Sequence, residues 1–199
     1  AMFLSPCSDL VFNTPADNWN CKSSDNNTIA VNFKGYDVSK LTSVALEYSP
    51  KNTDNWQNAF TKNAAQLSTG ANGTTENWSV AALADGEYNL RLRLNCANGV
   101  TYTQRSAGVI DRKPPGLLGK RQPTDDTYSA GDEISFSFDE SINTSGLNVN
   151  KVVLSRVSNG TVIPVSVNGY QNKLVVVPQT DLLNFQNERF RIVVQNIPD

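Results

Sequence analysis

Apolar and polar residues alternate along most of this chain, and the alternation predicts strands. Ile29, Val31 and Phe33 fall on one face of a run from Thr28 to Phe33, and Val44, Leu46 and Tyr48 repeat the pattern. Trp78 and Val80 follow. Tyr88, Leu90, Leu92 and Leu94 recur every second residue with Arg91 and Arg93 between them. A period of two puts one face in a core and the other in water. Lys34 to Asp37, Gly70 to Gly73, Asp85-Gly86 and Asn95 to Gly99 carry turn chemistry between these runs. That spacing fits a β-sandwich rather than βαβ units. Only Asn58 to Ser68 reads as able to hold a helical turn. Beyond residue 112 the pattern continues: Ile134, Phe136 and Phe138 share a face, as do Phe190, Ile192 and Val194. Asn159-Gly160 and Asn168-Gly169 read as hairpin turns.

The two halves differ in composition. All three Trp (Trp19, Trp56, Trp78) and all three Cys (Cys7, Cys21, Cys96) precede residue 112, where Asp111-Arg112-Lys113-Pro114-Pro115-Gly116 interrupts any periodicity. The expectation is an all-β chain of two consecutive sandwiches, residues 1–112 and 113–199, joined by a short Pro-rich linker.

Two resemblances sharpen this. Leu83-Ala84-Asp85-Gly86-Glu87-Tyr88-Asn89-Leu90-Arg91 resembles the E-to-F corner of fibronectin type III and related immunoglobulin-like domains. The resemblance implies that Tyr88 is a tyrosine-corner residue whose hydroxyl closes back on the chain upstream. The chain departs from that family in its second strand, where Phe33 stands in place of the usual buried Trp. The second half is similar to the bacterial immunoglobulin-like module first associated with S-layer proteins. The matching segments are Gly131 to Phe138, Leu147 to Leu154, Leu174 to Pro178 and Phe190 to Asp199.

Charge and chemistry then narrow the function. With 17 Lys+Arg against 19 Asp+Glu, the chain lacks the positive field that nucleic acid or an anionic membrane would require. No apolar run approaches the twenty or so residues of a membrane span. Histidine is absent, which removes His-based triads, His general bases and the commonest transition-metal ligand. No Gly-x-Ser-x-Gly, Ser-x-x-Lys, phosphate-cradling Gly loop or Cys-x-x-Cys occurs, so a catalytic function, a cofactor and a metal are not expected. The acidic residues Asp125, Asp126, Asp132, Glu133, Asp139 and Glu140, with Asp111, offer hard oxygen ligands for Ca2+. Without an Asp-x-Asp-x-Asp-Gly loop they read as a solvated rim. Lys113, Lys120 and Arg121 read as charges that tune contact near Asp111.

Three thiols in one sandwich leave one unpaired if the domain is extracellular. In a seven-stranded sandwich the first strand begins at the end where the F strand stops, which favours a Cys7–Cys96 disulfide over Cys7–Cys21. Trp19 and Trp56 lie in loop-like contexts and are the candidates for stacking on a sugar ring. Tyr48 and Trp78 sit in strand patterns and read as core. The opening Ala1-Met2 reads as a cloning remnant, so the chain is expected to be a piece of a longer protein.

The expected function is a non-catalytic structural or adhesive module, a spacer or stalk segment, of a large secreted or cell-surface bacterial protein. The partners expected are neighbouring domains of the same chain, with surface glycans or proteins beyond them, and the state expected is a monomer. The alternative is a glycan-binding accessory module of an extracellular carbohydrate-active protein.

Overall fold

The computed structural model describes residues 9–198. Among them, fifteen strands and five single-turn 3-10 helices form, and no α-helix. The chain divides into two compact units, Ala1–Arg112 and Lys113–Asp199, each with its own hydrophobic core.

In the first unit the strands are β1 (Val11–Thr14), β2 (Trp19–Cys21), β3 (Thr28–Lys34), β4 (Leu41–Pro50), β5 (Gln57–Asn63), β6 (Thr74–Ser79), β7 (Gly86–Cys96), β8 (Gly99–Tyr102) and β9 (Ser106–Ile110). One sheet has the order β1-β3-β6; the other has the order β2-β9-β7-β4-β5, with β8 also paired to β7. Ile29, Val31, Phe33 and Trp78 from the smaller sheet meet Val44, Leu46, Leu90, Leu92 and Leu94 from the larger one in a single core. Two sheets closed over one interior make a sandwich, and each fully buried Val, Leu or Phe contributes about 1.5–3 kcal/mol relative to exposure. Most pairings are antiparallel. The exception is β2, which runs parallel to β9 with Trp19 opposite Gly108.

The second unit contains β10 (Ile134–Ser137), β11 (Val152–Arg156), β12 (Val162–Ile163), β13 (Val165–Tyr170), β14 (Lys173–Pro178) and β15 (Phe190–Val194). They form two three-stranded sheets, β10-β14-β13 and β12-β11-β15. Their inner faces share a core containing Phe136, Phe138, Leu154, Leu174 and Val176. Bridges from Leu117 to Phe138 and from Gln122 to Ser135 set residues 117–122 beside β10. The all-β architecture and these paired sheets are those of immunoglobulin-like sandwiches.

Of three local expectations, two hold and one changes. Asn58 to Ser68 is mostly strand β5, with only the turn Ala64–Gln66 helical, because pairing with β4 claims its backbone groups. Asn159-Gly160 does form the turn between β11 and β12, with Gly160 at a φ of 72°. Asn168-Gly169 does not: it lies inside β13, and Gln171, at a φ of 52°, turns the chain into β14. Gly169 instead allows close approach: a Cβ there would overlap Leu147 Cδ1, and that side-chain end would have to shift.

Candidate functional site

The densest side-chain constellation in the first unit lies on the outer face of its larger sheet. Alternation along β7 sends Leu90, Leu92 and Leu94 inward and therefore Arg91 and Arg93 outward. Strand register then supplies their partners. Glu47 of β4 stands opposite Arg91, and Tyr102 of β8 stands opposite Arg93. Arg91 Nε and Nη2 donate to Glu47 Oε2 at 2.9 and 2.8 Å. Arg93 Nη1 reaches Glu47 Oε1 at 3.2 Å. Two guanidinium groups thus cover one carboxylate, and Glu47 is only 6% exposed.

The Arg91 guanidinium is also held between two rings. Its Cζ lies 3.9 Å from the Trp56 centroid and 4.0 Å from that of Tyr102. Arg105 approaches Trp56 as well, at 5.2 Å, and pairs with Asp54 at 3.1 Å. Tyr102, Arg91, Trp56 and Arg105 therefore form a stack of rings and cations anchored by Glu47 and Asp54. Its chemistry is cation–π attraction and charge-assisted hydrogen bonding. Such a stack fixes its side chains against one another, with Trp56 half-buried in it and Tyr102 exposed. Glu47, Arg91, Tyr102 and Arg105 escaped the sequence reading, and the signal that could have found them is the Arg-x-Arg pair on the wet face of β7.

Trp19 is not in a loop. It occupies β2 and is 8% exposed. Its ring packs on Gly108, where a Cβ would fall 2.0 Å from Trp19 Cδ2. Its indole N–H donates to Ser106 O at 3.4 Å. Ser106 Oγ in turn donates to Pro15 O, and Ala107 N–H to Asp17 Oδ1. Trp19 thus belongs to the seam between β2 and β9, not to an open surface. Trp56 lies just ahead of β5, half-buried in the cationic stack. The fold does not bring the two tryptophans into one described site. Trp78 and Tyr48 stack at 5.2 Å between centroids.

The Tyr88 hydroxyl donates to Ala84 O at 3.0 Å, the contact by which a tyrosine corner closes. Arg112 clamps the same corner from below. Its guanidinium donates to Val80 O at 2.7 Å and Leu83 O at 3.0 Å, and pairs with Asp85 at 2.7 Å. Cys21, at the end of β2, is a free and buried thiol. Burial pushes its pKa up, Asp25 pushes in the same direction, and Arg112 opposes them. A free Cys21 excludes the Cys7–Cys21 pairing. Cys7, and with it the Cys7–Cys96 disulfide, lies outside the described residues.

In the second unit the acidic side chains are used locally. Asp126 pairs with Arg121 at 2.8 Å, and Glu133 with Lys173 at 2.6 Å. Asp132 accepts from Ser129 N–H, Asp125 from Thr127 N–H and Asp139 from Gly116 N–H. No group of three or more His, Cys, Asp or Glu side chains placed to hold a metal occurs among the described residues. Among the same described residues, no helix is long and apolar enough to cross a membrane. The fold and surface define an all-β chain whose sheets are those of immunoglobulin-like sandwiches. In sequence it matches no family model and no curated protein.

Proposed function

We propose that the chain is a non-catalytic structural or adhesive segment, with two immunoglobulin-like modules acting as a spacer in a large secreted or cell-surface bacterial protein. The observation that carries this reading is the stack of Tyr102, Arg91, Trp56 and Arg105. It commits the half-buried Trp56 ring and the outer arginines to cross-bracing strands β4, β7 and β8. Cross-strand bracing of this kind resists shear between strands, as a module under tension requires. In this reading Lys113-Pro114-Pro115 limits bending between modules, because proline fixes φ. Cys7 and Cys96 form a disulfide in the oxidising extracellular setting, and fibronectin type III-like and S-layer-type modules are the families the two units represent.

A glycan array tests the proposal against the sugar-binding alternative, with Trp19→Ala and Trp56→Ala as controls. No binding above background is expected. Specific binding lost in the Trp56→Ala protein, with its fold intact, would overturn the spacer reading.

A further inference from the structure

The two units end their larger core strands differently. In the first, β7 is flanked on both sides, by β4 and by β9. Its inward residues Leu90, Leu92 and Leu94 are 0%, 0% and 3% exposed. In the second, β15 pairs with β11 alone among the described residues. Its inward residues Phe190, Ile192 and Val194 pack on the core yet remain only half-buried.

The ladder shows which backbone groups are left over. Val157 N–H donates to Arg189 O at 2.8 Å and Gln195 N–H to Lys151 O at 3.0 Å. Hydrogen-bonded positions in an antiparallel ladder alternate, so residues 189, 191, 193 and 195 face β11. The N–H and C=O groups of Phe190, Ile192 and Val194 therefore point out from the sheet edge. Beside them opens a groove of about 970 Å³ whose walls include Pro123, Tyr128, Ile134, Leu154, Leu182 and Ile192. Ile134, Leu154 and Leu182 are core residues, so the groove leads into the interior of the sandwich.

We propose that this edge and groove are the docking site of one further β-strand of the same polypeptide, lying after β15 in sequence and antiparallel to it. Strand order supports that source. In the first unit β5-β4-β7-β9 places the last strand in sequence beside β7; in the second, β12-β11-β15 repeats the order without that member. A strand rises about 3.3 Å per residue, so roughly five to seven residues would cover β15. Alternate apolar side chains would fill the groove and bury Phe190, Ile192 and Val194. The outward-facing Arg191 and the adjacent Arg189, both exposed, favour acidic residues on the solvent face of the incoming strand. They disfavour a second copy in the symmetric registers centred on Phe190 or Arg191, where arginine would stand opposite arginine.

Hydrogen exchange read at single amides tests this. The chain is compared with a longer version that carries the next twenty or so residues of the full-length polypeptide. Exchange at Phe190, Ile192 and Val194 is expected to slow by roughly ten-fold or more in the longer version. If that version folds poorly, a synthetic peptide of the same following residues, added to the original chain, should give the same protection. Unchanged exchange in both formats overturns the proposal. So does equal protection in the original chain accompanied by a dimer mass, which would make a second copy the occupant.

Discussion

Replacing Arg91 by Met keeps an unbranched apolar stem of similar reach to the arginine's own and removes the guanidinium, which isolates the contribution of the cationic stack. Glu47, 6% exposed, would retain only the Arg93 contact at 3.2 Å. Breaking a fully buried ion pair costs about 3–5 kcal/mol, but the Arg91 side chain is 18% exposed, so solvent screening reduces the figure to about 2 kcal/mol. Two ring contacts at about 4 Å add about 0.5–1 kcal/mol each. The total is about 3 kcal/mol, which for a domain near a hundred residues lowers the melting temperature by roughly 10–20 °C. All three tryptophans lie in the first unit, so tryptophan emission during a thermal melt of the whole chain reads that unit alone. Arg91→Lys should recover only part of the loss, because an ammonium cannot donate twice to Glu47 and stack at once. A double-mutant cycle with Glu47→Gln should give a coupling of about 1–2 kcal/mol. A melting point for Arg91→Met within about 2 °C of the parent, or a coupling near zero, would refute the reasoning.

Gly108→Ala should destabilise the first unit by several times the effect of an exposed Gly→Ala change, since its Cβ would overlap the Trp19 ring at 2.0 Å. Chemical denaturation followed by tryptophan emission measures it, and an unshifted midpoint contradicts the packing described for β2. Glu188 has a pKa held below the ordinary carboxylate value of 4.5, first by the Arg156 hydrogen bond and then by Ser158. Its contribution is therefore complete above that value and disappears as pH falls through the lowered folded pKa. Glu188→Gln should weaken the second unit at neutral pH, with the difference from the parent narrowing as the pH falls below 4.5, as amide NMR of that unit during urea titration would show; a pH-independent difference contradicts the assignment. Cys21 should react slowly with a thiol reagent in the folded protein and rapidly after denaturation, because burial raises its pKa. Peptide mapping without reduction should link Cys7 to Cys96, and a Cys21-linked peptide would contradict both expectations.

What could be read from the sequence was set by how local each signal is. The alternation in β3, β4, β7, β10 and β15 marks their inward residues directly, because a strand's facing is written two residues apart. The corner at Tyr88 was legible for the same reason, since donor and acceptor are four residues apart. Strand β9 was not: Ser106-Ala107-Gly108-Val109-Ile110 has little apolar alternation, because Gly108 leaves space for a ring from β2. Trp19 was misplaced on the same account. Asp17, Asn18 and Asn20 around it carry turn chemistry, and the glycine that buries it lies far away in sequence.

The cationic stack fails to appear in the sequence for a further reason. Alternation states that Arg91 and Arg93 face away from the core, but not what lies over that face. That depends on register across three strands, which sets Glu47 opposite Arg91 and Tyr102 opposite Arg93. A one-residue slip of β4 against β7 would turn Glu47 inward and send Leu46 out. The hydrophobic core and the outer stack therefore fix the same register. Leu46, opposite Leu92, is fully buried only in the alignment that also puts Glu47 beneath two arginines. A carboxylate that looks solvated in the sequence thus helps to fix how the sheet is aligned. Weakening the stack should loosen pairing along β4 and β7 before it exposes the core, so amide exchange in Arg91→Met should accelerate first at the outer ends of those strands.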